Sequence, residues 1–178
     1  MEVSDQRLTD ATFADLALPL FDQLYNFARW LTQDTAEAED LVQETYMKAL
    51  RGFSGFQIGT NFRAWIFRIL RNAFLTSRAG LKMVALDPEA DDPPSAEPTP
   101  EAVLLAQANR ETIQQALTDL PIPFREILLL CEVEEMSYEE ISQVLAIPMG
   151  TVMSRLHRAR KALRTLLVDK FKGVPNAV

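Results

Sequence analysis

The chain is expected to be all-α: two small helical domains joined by a Pro- and acid-rich linker, the C-terminal one a four-helix bundle ending in a helix-turn-helix. Three observations carry this. Apolar residues recur at helical spacing along most of the chain, whereas polar–apolar alternation never lasts beyond a few residues and hairpin dipeptides are missing. Residues 87–100, DPEADDPPSAEPTP, hold five of the ten prolines and five acids without one base, the composition of an extended spacer. At ~3.3 Å per residue that spacer reaches about 45 Å. Helical pattern stands on both sides of it, which divides the chain into residues 1–86, 87–100 and 101–178.

The first helix is expected over 12–31, with Phe13, Leu16, Leu20, Leu24, Phe27 and Leu31 as its buried stripe and Pro19 as a kink or break. Asp34 then caps the next helix, and Glu37 three residues on completes a capping box. Leu41, Val42, Thr45, Met47 and Leu50 offer that helix apolar cover. Asp40, Gln43, Glu44 and Met47 share another side at i, i+3, i+4 and i+7, either as solvated surface or as a docking strip for another protein. Gly52, Gly55 and Gly59 make the next segment a loop that nevertheless carries Phe53, Phe56 and Ile58. Apolar side chains in such a loop either plug the core or wait for a ligand. The following helix, NFRAWIFRILRNAFLTSR, buries Phe62, Trp65, Ile66, Ile69, Ala73 and Leu75, while Arg63, Arg68, Arg71 and Arg78 project elsewhere. Arginines interleaved with aromatics and free of acids suit single-stranded DNA, because arginine holds phosphate and aromatic faces take bases. Phe56, Phe67 and Asn72 are the contact candidates, and Trp65 is expected in the core.

Beyond the linker, helical pattern resumes near Glu101 with Val103, Leu104, Ala108, Ile113 and Leu117, and a short helix is expected over 124–133. The stretch SYEEISQVLAIPMGTVMSRLHRARKAL closes the domain. Ser137 and Glu140 form a second capping box, Ile141, Val144 and Leu145 an apolar face, and 146–150 a Pro-Gly turn. In the last helix Val152, Leu156, Ala159 and Leu163 share one stripe, opposite Ser154, Arg155, His157, Arg158 and Lys161. An apolar inner stripe backed by a basic, hydrogen-bonding outer face reads as a DNA-recognition helix.

Charge distribution fits two phosphate-facing surfaces. The 178 residues sum to −7, yet residues 45–86 carry +7 with no acid and residues 141–178 carry +6, between acidic blocks of −8 and −12. One histidine and one cysteine are too few for a zinc site or an internal disulfide. Cys131 lies in the apolar run ILLLC and reads as a core thiol. No metal site or cofactor is expected. No Gly-rich phosphate loop or plausible triad appears, so an enzyme is the weakest reading. The acidic start lacks the blocks of a signal peptide, and no run of about 18 apolar residues occurs, so a cytoplasmic protein is expected.

AEAEDLVQETYMKAL, GTNFRAWIFRILRNAFL, LPIPFREILLL and MSYEEISQVLAIPMGTVMSRLHRARKAL, in this order around a Pro-rich gap, resemble an extracytoplasmic-function sigma factor of bacterial RNA polymerase, nearest to the subgroup answering thiol-oxidative stress. The resemblance covers about residues 15–85 and 101–168. It implies that Asp40, Gln43, Glu44 and Met47 dock on the clamp of the polymerase's largest subunit. It further implies that Lys48, Phe56, Gly59, Thr60, Asn61, Arg63, Phe67, Arg68, Arg71 and Asn72 meet the melted minus-ten strand. Thr151, Ser154, Arg155, His157, Arg158, Arg160 and Lys161 are expected to meet the duplex minus-thirty-five element, with the C-terminal domain on the flap of the second-largest subunit. The implied partners are core RNA polymerase, promoter DNA and an anti-sigma factor, of the zinc-binding, redox-sensing kind in that subgroup. A repressor with a similar ending would need neither the aromatic-basic helix nor the strip. A sigma mimic that only sequesters an anti-sigma factor would lack Asn72, Arg155 and Arg158.

Overall fold

A computed structural model describes residues 12–79 and 109–172. The linker 87–100 and the helical start expected at 101–108 lie outside the described residues, among which there is helix and no strand. These residues form two compact units, 12–79 with 139–147 and 109–138 with 148–172.

In the first unit, helical residues 12–17 run into a 3-10 turn, Leu18–Leu20, then α1 (Phe21–Thr32), α2 (Thr35–Gly52) and α3 (Phe62–Ser77). Pro19 therefore breaks the expected first helix, and the break resets its phase. Phe13, Leu24, Phe27 and Leu31 are buried as the spacing required, but Leu16 is exposed and Leu20 only half-buried. α1, α2 and α3 pack pairwise around Leu24, Phe27, Leu31, Leu41, Val42, Ile66, Phe67, Leu70 and Phe74. Met47 and Leu50, expected to cover the core, are exposed. The buried face of α2 is instead Ala38, Leu41, Val42, Thr45 and Ala49, and the Thr45 hydroxyl donates to the Leu41 carbonyl at 2.7 Å, which leaves no orphan polar group inside.

Chain direction is set by caps. Gln33 ends α1 in the left-handed region at φ +60°, and its N–H reaches the Arg29 carbonyl. Asp34 accepts from the Glu37 N–H at 2.8 Å. The expected capping box is only half made, because the Glu37 carboxylate is drawn to Arg78 at 2.5 Å and the Asp34 N–H bonds the Thr32 hydroxyl. Asn61 caps α3 by accepting from the Ala64 N–H at 2.9 Å. Tyr46 donates to the Ala17 carbonyl at 2.7 Å, tying the N-terminal stretch to α2.

In the second unit α4 (Arg110–Asp119) and α5 (Ile122–Leu128) both pack on α7 (Met149–Lys172). Asn109 caps α4 through the Thr112 N–H. Pro123 is tolerated because the first turn of a helix has no partner for its N–H groups. The helix expected over 124–133 is α-helical only to Leu128. Residues Leu129–Val133 widen into a π turn, in which the Glu134 N–H returns to the Leu129 carbonyl at 3.0 Å. Arg125 is buried and donates to the carbonyls of Leu117, Thr118 and Leu120, holding the end of α4. Lys170 pairs with Asp119 at 2.8 Å, so α7 grips the same end.

Candidate nucleic-acid interface

α6 (Tyr138–Leu145) buries Ile141, Val144 and Leu145, as their spacing required. The turn after it is tighter than its Pro-Gly sequence implied. Ala146 takes the left-handed conformation at φ +53°, and Ser142 and Ile147 exchange two bonds, Oγ to carbonyl at 2.6 Å and N–H to carbonyl at 3.2 Å. Gly150, expected in the turn, already belongs to α7, whose first bond runs from the Val152 N–H to the Pro148 carbonyl. Glycine is therefore not the residue that turns this chain; an alanine held by a Ser–Ile clasp is.

The inner stripe of α7 is buried throughout at Val152, Leu156, Ala159 and Leu163 and continues to Leu167. At 100° per residue Ser154 and Lys161 point away from that stripe. Thr151, Arg155 and Arg158 flank them on one side, with Met153, His157 and Arg160 on the other. All these side chains are at least partly accessible. Arg158 Nε lies 3.4 Å from the Ser154 carbonyl. Arg160 pairs with Glu132 at 2.7 Å, with Nη2 at 3.7 Å from Cys131 Sγ. It is thereby held against the π turn, with its charge answered within the fold. The Cys131 thiol is pushed above its ordinary pKa by burial and then by the charge of Glu132. It is half-buried and protonated at neutral pH, at the margin of the core rather than inside it as its apolar run implied.

On the first unit the expected single-strand contacts separate into two sets. Phe56, Thr60 and Asn61 line one depression together with Trp65 and Arg68. Rings form its floor: Phe56 lies 4.9 Å from Trp65, 5.3 Å from Phe62 and 6.0 Å from Phe53. The loop is folded by the Thr60 hydroxyl and N–H, both bonded to the Gln57 carbonyl, with Gly59 at φ +97°, where a side chain would be strained. Asn72 is exposed one helical turn beyond Arg68. Trp65, expected in the core, is only half-buried and forms a wall; its i+3 spacing to Arg68 was the sign that it shares the outer face.

Phe67 and Arg63 face elsewhere. Phe67 is 0% exposed and packs on Phe27 at 5.5 Å between centroids, so a base could reach it only by opening the core. It is a core residue and leaves the contact set. Arg63 donates from Nε to Gln23 at 3.1 Å and lies over the Phe67 ring, turned toward α1. Arg71 is half-buried.

Asp40, Gln43, Glu44 and Met47 are all exposed on one face of α2, where with Lys48 and Arg51 they line a shallow groove. Lys48 pairs with Glu44 at 2.7 Å, which brings this expected phosphate contact to the edge of the acidic strip. Such a surface pair is worth less than about 1 kcal/mol, so the ammonium is available to a phosphate. Among the described residues no group of acids, histidines and cysteines is placed to hold a metal ion, and no helix is long and apolar enough to cross a membrane.

Comparison with known proteins matches both halves. A family model described as Sigma-70 region 2 matches residues 19–82, and one described as Sigma-70, region 4 matches residues 110–163. The ECF RNA polymerase sigma factor SigE of Mycolicibacterium smegmatis is 38% identical over 89% of this chain, which spans 65% of that relative's length. The ECF RNA polymerase sigma factor SigW of Bacillus subtilis is 31% identical over 88% of this chain and 89% of its own, and EcfG of Rhodopseudomonas palustris 34% over 90% and 87%. Among solved structures, the sigma factor RpoE in complex with the anti-sigma factor NepR from Bartonella quintana is similar at a TM-score of 0.67, with 30% identity over 88% of this chain and 97% of that one. CnrH in complex with the cytosolic domain of CnrY, at a TM-score of 0.60 and 24% identity over 92% and 97%, shares the fold.

Proposed function

Because the chain belongs to the extracytoplasmic-function family of RNA polymerase sigma factors, we propose that it binds core RNA polymerase and directs initiation at its own set of promoters, as a non-enzymatic initiation factor. One observation carries the proposal: a single chain holds two DNA-facing surfaces of different chemistry. The depression of Phe56, Thr60, Asn61, Trp65 and Arg68 offers ring faces and a cation, which suits an unstacked base on a melted strand. The outer face of α7 offers hydroxyl, imidazole and guanidinium groups on a helix whose other side is fully buried, which suits base edges in a major groove.

In this reading residues 1–86 melt and read the minus-ten element, through Phe56, Gly59, Thr60, Asn61, Arg68 and Asn72 with Lys48, Arg63 and Arg71 on phosphates. Residues 101–178 read the minus-thirty-five element, through Ser154, His157 and Arg158 with Thr151, Arg155, Arg160 and Lys161 on the backbone. Residues 87–100 bridge the two. Asp40, Gln43, Glu44 and Met47 dock on the clamp of the largest subunit, and the C-terminal domain sits on the flap of the second-largest. The protein then works in the cytoplasm, where polymerase and chromosome are.

Control by an anti-sigma protein belongs to the same proposal and draws on the RpoE–NepR complex of the 30% identical relative. That this partner binds zinc and senses thiol oxidation is the finer part, tested by the metal content of the captured partner. The decisive experiment is runoff transcription with core polymerase on a promoter library. A transcript from a defined promoter subset that depends on this chain is expected; none would overturn the reading. Asn72→Ala and Phe56→Ala should keep core binding and lose open-complex formation, and normal melting in both would overturn the base-pocket assignment.

A further inference from the structure

The upstream-reading face of α7 carries one residue whose chemistry the polar contacts above do not use. Met153 is 49% exposed, more than Met149, the other exposed large apolar side chain of this helix at 38%. It sits about 90° from the middle of the buried stripe Val152–Leu156–Ala159, on the His157 side. A flexible thioether held in water one turn into this helix, between Ser154 and the buried stripe on the His157 flank, has no core role that its position explains. The N-terminal turns of a recognition helix are those that contact base edges. The only apolar group presented on the major-groove edge of a base pair is the C5-methyl of thymine. The cations of the outer face of α7, Lys161 at its middle and Arg155 and Arg158 on the far flank, complement phosphate and so commit the occupant of this face to a duplex rather than to an apolar protein surface.

We propose that Met153 is a specificity residue that reads a thymine C5-methyl in the upstream promoter element. The inference rests on the proposed reading of that element by α7 and deepens it. Ser154, His157 and Arg158 discriminate by hydrogen bonds, which sense donors and acceptors; Met153 senses the one feature they leave unread. Thymine and uracil differ only by that methyl, so the contact has a clean chemical probe. Burying one methyl-sized group changes affinity roughly fourfold.

The test uses the holoenzyme assembled from core polymerase and the full chain, and a promoter fragment selected from the library by transcription. Every thymine on either strand of the upstream element is replaced singly by deoxyuridine, and affinity is measured for the wild type, Met153→Gln and Met153→Leu. One replacement should weaken the wild type roughly fourfold, Met153→Leu should retain most of that penalty, and Met153→Gln should abolish it. Insensitivity of the wild type to every replacement, an equal penalty in Met153→Gln, or a selected element without thymine would overturn the inference. Scrambling the whole upstream element separates the two levels. If scrambling costs affinity while deoxyuridine does not, only the role of Met153 falls; if scrambling costs nothing, the upstream-reading function of α7 falls with it.

Discussion

Replacing Arg125 by methionine tests how the second unit is held together. The guanidinium, 7% exposed, donates to Leu117 O at 2.9 Å, Thr118 O at 2.5 Å and Leu120 O at 3.0 Å. Burial pushes its pKa down and the charge of Asp119 pulls it back. Methionine keeps an apolar stem in place but removes every donor. Leu117 O still accepts from the Leu120 N–H, so Leu120 O bears most of the loss, at about 1–3 kcal/mol for one orphaned buried group. Loss of a cation at the C-terminus of α4 adds roughly 0.3–1 kcal/mol. Relief from burying a charge offsets part of this, which leaves a net loss of about 2 kcal/mol. A unit of this size has only roughly 3–10 kcal/mol in all. Arg125→Lys, a point charge without the fork, should fall between the two. Both tryptophans, Trp30 and Trp65, lie in the first unit, so urea unfolding followed by circular dichroism should shift while tryptophan fluorescence shifts less. A methionine variant with a wild-type dichroism midpoint, or a lysine variant equal to arginine, would refute the reasoning.

Other substitutions and conditions have definite outcomes. Phe67→Ala should lose about 3–5 kcal/mol as a core deletion, whereas Phe56→Ala, half-exposed on the depression, should lose much less; denaturation midpoints compare them directly. Ala146→Gly should raise stability by up to about 1 kcal/mol because the φ of +53° costs a Cβ, and Ala146→Val should lower it in the same assay. Asp119 has its carboxyl pKa lowered by its bond to Lys170. Its contribution is present above the unfolded-state pKa and is lost as pH falls through the lower folded value, so stability should fall more between pH 5 and about pH 3 in the wild type than in Asp119→Asn. Cys131, its thiol pKa raised by burial and by Glu132, should react slowly with a thiol reagent at neutral pH and faster in Glu132→Gln; equal rates would disprove the cause.

What was legible in the sequence follows from how far along the chain each determinant lies. Caps are local, so Asp34 announces α2, and periodicity is local, so the inner stripe of α7 could be read residue by residue. Several misreadings involve a partner distant in sequence. Glu37 leaves its capping box for Arg78, 41 residues away. Phe67 has the right chemistry for a base but is claimed by Phe27 from another helix. Met47 and Leu50 look like core on hydrophobicity alone, yet α1 and α3 approach α2 on its alanine side. Arg125 carried no signal at all, since a buried arginine cannot be told from a surface one until the carbonyls it gathers are in place. In the helix-turn-helix, the Pro-Gly pair marked a break at the right place, but Gly150 belongs to α7 and the strained conformation fell on the less obvious Ala146.

The small side chains inside α2 have a consequence for how its outer strip is presented. Ala38 and Ala49 are fully buried at either end of a face whose middle is Leu41, Val42 and Thr45, so at those two ends α2 meets its neighbours through methyl groups alone. Asp40, Gln43, Glu44 and Met47 therefore sit on a rail whose height above the core is set by methyl groups beneath it. A partner that reads this strip meets a preformed straightedge and orders little on contact. It also means that the strip can be retuned from below: one added carbon at Ala38 or Ala49 would lift or tilt the whole rail while leaving every residue the partner touches unchanged.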